Sequence, residues 1–272
     1  DNDLWGTDHC PGYGSAAKYI ATSIMEIYLD ARVYDKGMIT VLEIMGRNAG
    51  WLAASSALAS YKGYGPDLIY LPELPFDMDE FIENISRIYK EKGNVIIAVS
   101  EGIKDKNGTY ISEYGTDLAK HKDPFGHPQL GGLAVTLANF AKENTGAKVR
   151  GIEFSLLQRC ASHLASLTDV NEAYMAGQAA VQYAIQGITD KMVAFERDEQ
   201  NGYKCNIKLI NLDDVANTEK KVPLEWIIDN GTNVSDNFIK YALPLIQGES
   251  SPPMEEGLPR FAKLKKISAK RL

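Results

Sequence analysis

Two carboxylates open the chain. Asp1 and Asp3 flank Asn2 in the run Asp1-Asn2-Asp3-Leu4-Trp5-Gly6-Thr7-Asp8. Alternate residues of an extended backbone share a side, so both acids face the same way. A carboxylate pair suits phosphoryl transfer, in which one member takes the proton of an attacking hydroxyl and the other helps organise a metal ion. A solvated turn presents the same two residues, and the pair alone leaves both readings open. A second group ends the apolar run Val41-Leu42-Glu43-Ile44 in Met45-Gly46-Arg47. Glycine lets the backbone come close to a ligand, and arginine offers a forked cation that matches phosphate. The same glycine could simply open a helix. Glu101 and Gly102 end another apolar run, Val95 to Ser100, where an ordinary turn is the alternative.

These residues need a scaffold that gathers strand ends. Apolar residues recur at helical spacing from Ser15 to Asp30, with Ser15 placed to cap the start. Strands are expected at Met38–Met45, Asp67–Leu71 and Asn94–Ser100, and helices at Asn48–Tyr61 and Asp77–Lys90. The last of these carries acids in its first turn and lysines at its end, as the helix dipole favours. This alternation predicts an α/β fold with a doubly wound parallel sheet, whose ligands collect at the carboxyl ends of the strands. From Lys104 to Gln129 the pattern gives way to Gly, Pro, Asp and His, which reads as a loop. A helix at Leu133–Asn144, a strand near Lys148–Phe154 and a helix at Asp169–Gln186 follow. Met192–Glu196 and Tyr203–Ile210 around Asn201-Gly202 read as a hairpin. The Pro- and Lys-rich stretch from Gly248 reads as a surface segment.

Composition narrows the partners. A net charge of −7 over 272 residues argues against nucleic acid, whose binding rests on a basic surface. No apolar run approaches the ~20 residues of a membrane helix. Three scattered cysteines, Cys10, Cys160 and Cys205, fit a reducing compartment, so a cytoplasmic location is expected. His9, His121 and His163 lack metal-ligand spacing and read as surface or satisfied polar residues. Gly12-Tyr13-Gly14-Ser15 lacks the preceding strand and third glycine of a dinucleotide loop.

Taken together, the opening Asp-Asn-Asp-Leu-x-Gly-Thr-Asp run and the Val-x-Glu-Ile-Met-Gly-Arg strand end resemble the phosphofructokinase family. The resemblance continues through Glu101 and through Glu143-Asn144-Thr145-Gly146-Ala147-Lys148-Val149-Arg150, with Leu157-Gln158-Arg159 beyond it. It implies a phosphofructokinase-like fold of two doubly wound three-layer domains, one of them incomplete. Residues 1–13 would be a remnant of the larger, donor-binding domain and 14–130 the smaller fructose-6-phosphate-binding domain. Residues 131–195 would return to the larger domain, and 196–272 would pack across both. The family's Gly-Gly-Asp donor loop occurs nowhere in the sequence, so an amino-terminal part is expected to be missing.

The resemblance also implies site roles. Asp1 matches the base that deprotonates the 1-hydroxyl of fructose 6-phosphate, and Asp3 its neighbour near Mg²⁺. Met45, Gly46 and Arg47 match the sugar-phosphate turn, and Glu101 a ligand of sugar hydroxyls. Arg150, Leu156, Gln158 and Arg159 match the substrate-binding set, with both arginines on the 6-phosphate. Arg150 often serves a neighbouring subunit in this family, so a homodimer or homotetramer is expected. ATP-using bacterial members have histidine where Leu156 stands and arginine where Met38 stands. Those departures, with Phe125-Gly126-His127-Pro128-Gln129-Leu130-Gly131-Gly132, favour diphosphate over ATP as donor. Asp30, where regulated relatives place a basic contact, points to weak effector control. A non-catalytic subunit that binds sugar phosphate is the alternative function, and sedoheptulose 7-phosphate a further substrate to consider.

Overall fold

Strands β1 (Ile39–Ile44) and β3 (Val95–Ser100) are buried along their whole length, as parallel strands covered on both faces must be. A computed structural model describes residues 1–33, 37–115, 132–200 and 202–268. With β2 (Leu68–Tyr70) and β4 (Val149–Glu153), these strands form a parallel sheet in the order β2-β3-β1-β4. Alternation along the strands divides the core in two. Leu42, Ile44, Ile69, Ile96 and Ala98 meet α1 (Tyr13–Ala31), α2 (Trp51–Ala54) and α3 (Ala57–Tyr61). Ile39, Val41, Val95, Ile97 and Val99 meet α4 (Met78–Lys92) and α5 (Leu133–Thr145). The three-layer α/β architecture is therefore the expected one.

Several helix ends follow local rules. The Asp77 side chain accepts from the Asp79 and Glu80 amides, and Gly93 closes α4 in the left-handed region at φ 75°, where glycine carries no steric cost. Other ends depart from expectation. Ser15 does not cap α1. The Asp169 carboxylate, from α6 (Leu167–Ile185), accepts instead from the Gly12 and Ser15 amides and the Ser15 hydroxyl at 2.7, 3.0 and 2.5 Å. The helix expected over Asn48–Tyr61 is split into α2 and α3. Ser55 and Ser56 lie at the break and donate their hydroxyls to the carbonyls of Leu52 and Ala53, a side-chain competition with the helical ladder.

The boundary expected at residue 130 is corrected by the pairing. Strand β4 joins β1 from Ile39↔Val149 to Glu43↔Glu153, so α5 and β4 complete this sheet rather than open a return to another. Beyond it, β5 (Lys191–Asp198) and β6 (Lys204–Asn211) form the expected antiparallel hairpin. After α7 (Leu212–Val215), α8 (Asp236–Ala242) sends Phe238, Ile239 and Ala242 into the α1 side of the core. Among the described residues, no helix is long and apolar enough to cross a membrane.

Candidate active site

The opening loop is set by its middle residue. Asn2 is fully buried, with φ 65°, a left-handed conformation that asparagine tolerates better than most residues. Its amide donates to the Tyr241 hydroxyl at 2.9 Å and accepts from the Cys10 amide at 2.8 Å. With Asn2 anchored inward, Asp1 and Asp3 line a cleft of about 440 Å³ together with Cys10, Met45 and Arg159. Four residues expected at the site from three separate stretches thus share one cavity. Its volume lies within the range of small-molecule pockets. A smaller cleft of about 270 Å³ adjoins it and shares Gly12, Ala16 and Arg159.

The turn after β1 is held from several sides. Gly46 has φ 142°, and a Cβ there would stand 2.7 Å from the Ala49 carbonyl. Its N–H donates to Glu101 Oε1 at 3.3 Å, and its carbonyl accepts from the Ser100 hydroxyl at 2.5 Å. The Met45 N–H donates to Gln158 Oε1 at 3.4 Å. Burial pushes the Glu101 carboxyl above its ordinary range, while the Gly46 N–H and the Arg47 charge oppose the rise. Among the described residues, Arg47 Nε is buried without a hydrogen-bond partner. Gly102 makes the close approach possible, since a Cβ there would lie 1.9 Å from the Arg47 carbonyl.

Other expected residues fall elsewhere. Arg150 is on edge strand β4 and lines a separate groove of about 470 Å³ with Tyr19, Glu26 and Asp30. It does not reach the cleft of its own chain. Leu156 is 56% exposed and lines neither cleft. Gln158 is buried, and its side chain bridges the Met45 amide and the Ser155 carbonyl. It therefore shapes the turn on which Met45 sits. The segment from Phe125 to Gly131 and His121 lie outside the described residues.

Three groups escaped the sequence reading. Glu43, buried inside β1, accepts from the Ala134 amide at 2.8 Å. Burial raises its pKa to about 7; the Ala134 N–H opposes this and the charges of Glu153 and Glu101 add to it. An acid inside an apolar strand was the available signal. The second group is Asp169, described above. The third surrounds His9, whose ring donates from Nδ1 to Asp8 at 2.8 Å and from Nε2 to Glu172 at 2.7 Å. Burial disfavours the charged ring, yet the bonds to Asp8 and Glu172 outweigh it and raise the pKa. Both contacts can be N–H donations to carboxylate oxygens only in the imidazolium form, which is the form the raised pKa favours. Arg197 completes the group by donating Nε to both Asp8 oxygens at 3.1 Å. Ligand atoms of His9, Glu172 and Cys205 lie within 4.8 Å of one another. The imidazole is already saturated, and burial drives the Cys205 thiol up to about 12, which favours an ion-paired cluster over a metal centre.

Comparison with known proteins bears on the family of the chain. A family model described as Phosphofructokinase matches residues 1–184. The pyrophosphate–fructose 6-phosphate 1-phosphotransferase of Halomonas elongata is 43% identical over 274 residues, covering 100% of this chain and 64% of that protein. The protein of the same name from Methylococcus capsulatus is 41% identical over 267 residues, covering 97% of this chain and 62% of its own length. The crystal structure of pyrophosphate-dependent phosphofructokinase from Marinobacter aquaeolei superposes with a TM-score of 0.85 at 39% identity, covering 100% of this chain and 64% of that one. This chain thus spans slightly less than two thirds of these relatives. From its motifs, its sheet and the residue 1–184 match, the chain belongs to the phosphofructokinase family.

Proposed function

We propose that these residues form the acceptor side of a phosphotransferase that converts fructose 6-phosphate to fructose 1,6-bisphosphate, with diphosphate as donor. The observation that carries the reading is the single cleft lined by Asp1, Asp3, Met45 and Arg159. Asp1 takes the proton of the 1-hydroxyl as its oxygen attacks the terminal phosphorus. The new O–P bond forms while the bridging P–O bond breaks, and the leaving phosphate keeps the electron pair. Arg159 holds the 6-phosphate, with Met45 and Gly46 against the sugar and Glu101 accepting from its hydroxyls. Positioning and charge stabilisation then account for most of the rate. The relatives from Halomonas and Methylococcus, both named for pyrophosphate, support diphosphate over ATP.

Mg²⁺ fits the oxygen-only acids at this cleft, since it prefers one or two carboxylates plus substrate phosphates. Asp3 would hold it, and the ion would neutralise charge on the transferring phosphoryl group. Arg150, remote from the cleft, suits a homodimer or homotetramer in which it serves a neighbouring copy. Cys10, Cys160 and Cys205 are free thiols, in keeping with a cytoplasmic setting.

A coupled assay for fructose 1,6-bisphosphate, on this chain joined to the expected amino-terminal donor part and with Mg²⁺ and either donor, tests the reading. Turnover is expected with diphosphate, and Asp1→Asn is expected to lower kcat by about 10²–10⁴ with KM little changed. Turnover with ATP alone would overturn the donor assignment, and an unchanged kcat in Asp1→Asn would overturn the base. Sugar-phosphate binding by calorimetry without turnover would favour a non-catalytic subunit.

A further inference from the structure

The base loop ends at Asp8, forty positions before Asn48, which opens the stretch after the sugar-phosphate turn, yet both are tied to one irregular segment between α7 and α8. On the loop side, Leu4 pairs antiparallel with Glu219. The Lys220 N–H donates to the Asp3 carbonyl at 2.7 Å. The Lys220 ammonium donates to the Asp8 carbonyl at 2.5 Å and to the Thr7 carbonyl at 3.1 Å. On the turn side, the Asn48 side chain donates to Glu219 Oε1 at 2.7 Å, and the Trp51 indole donates to the Lys220 carbonyl at 2.8 Å. Val222 and Gly50 both donate their amides to Glu73 Oε1, at 3.0 and 2.8 Å. The segment lies beyond the residue 1–184 match that defines the family.

We propose that Glu219–Val222 is a positioning strap that fixes the Asp1–Asp8 loop against Asn48–Trp51, the stretch that directly follows the Met45–Arg47 turn, with Lys220 as its anchor. The inference rests on the functional reading above for its kinetic consequence and on geometry alone for the tether. Burial lowers the affinity of Lys220 for its proton; Cys10, Asp8 and Asp3 counter this, while Arg197 adds to it. Among the described residues no carboxylate oxygen bonds the ammonium; its acceptors are two loop carbonyls, with the Trp51 ring 4.9 Å away. A partly buried cation spent on the backbone of one loop gains its stabilisation only while that loop is in place. Because a 1 Å misplacement of a reacting group costs about 10²-fold in rate, the strap bears on turnover more than on sugar-phosphate affinity.

The test pairs kinetics with hydrogen exchange on Lys220→Met, Lys220→Arg and Asn48→Ala. Lys220→Met is expected to lower kcat by about tenfold or more, with KM for fructose 6-phosphate within about twofold. Amides of residues 3–8 should exchange faster while those of α4 and α5 keep their rates. Lys220→Arg should recover part of both effects, because it keeps a donor cation. Asn48→Ala, which cuts only the turn side, should raise KM and leave exchange at residues 3–8 unchanged. Lys220→Gln, which keeps only a shorter, uncharged donor toward the Thr7 and Asp8 carbonyls, provides a second route if Lys220→Met fails to fold; it should move kcat and residue 3–8 exchange in the same direction. Unchanged kcat and unchanged loop exchange in a folded variant would overturn the strap, as would acceleration spread evenly over the chain. Absence of turnover in the unsubstituted protein would strike the functional reading instead, and the exchange pattern would still decide the tether.

Discussion

Glu43→Gln isolates the most exposed consequence of burying an acid inside β1. The carboxyl is only 6% exposed, and burial raises its pKa from 4.5 to about 7. At about 1.4 kcal/mol per tenfold change in proton affinity, the rise from 4.5 to about 7 corresponds to roughly 3 kcal/mol. The sign follows from proton binding. Between these two pH values the folded chain holds more protons than the unfolded chain, so stability falls as pH rises. The contribution is fully present below about 4.5 and lost through about 7. Glutamine keeps the shape and an oxygen for the Ala134 N–H, which now donates at 2.8 Å, and it cannot ionise. Urea unfolding at pH 5, 6, 7 and 8 should therefore show the variant gaining on the parent as pH rises. The difference between the ends of that series should be about 1–3 kcal/mol, allowing for loss of the charged bond to Ala134. Equal pH dependence in the two proteins would refute the argument.

Three further outcomes follow from named contacts. Gly102→Ala places a Cβ 1.9 Å from the Arg47 carbonyl, so the turn must shift; a loss of about 2 kcal/mol or more is expected by thermal or urea unfolding, with weaker fructose 6-phosphate binding by calorimetry. Asp169→Ala removes three bonds to the start of α1 and should cost about 1–3 kcal/mol in urea; stability within about 0.5 kcal/mol of the parent would contradict the cap. Arg159→Ala alters an exposed cleft residue, so stability should change by no more than about 0.5 kcal/mol while KM for fructose 6-phosphate rises; an unaltered KM would remove Arg159 from the phosphate site.

Much of this arrangement is written locally. The Asp77 cap reaches only two and three residues ahead, and β3 is an uninterrupted run of residues suited to burial, as is β1 but for Glu43. The Met45-Gly46-Arg47 and Asp1-Asn2-Asp3 motifs carry their chemistry in consecutive side chains. For these, the sequence by itself was enough to determine element type and sheet class. The tertiary structure decided which of them meet. It sent Arg159 to the cleft and Arg150 to a separate groove, although nine positions separate them, because Arg150 sits within β4 and Arg159 ends the 3-10 helical turn Ser155–Arg159 that follows it. It gave the start of α1 to Asp169, 154 positions from Ser15, and bound Asp8 to Lys220 across 212 positions. Periodicity and capping rules describe neighbours a few residues apart, whereas a buried donor finds its acceptor wherever packing brings one. Glu43, Asp169 and Lys220 answer to that second requirement, and only the folded chain shows what each one holds.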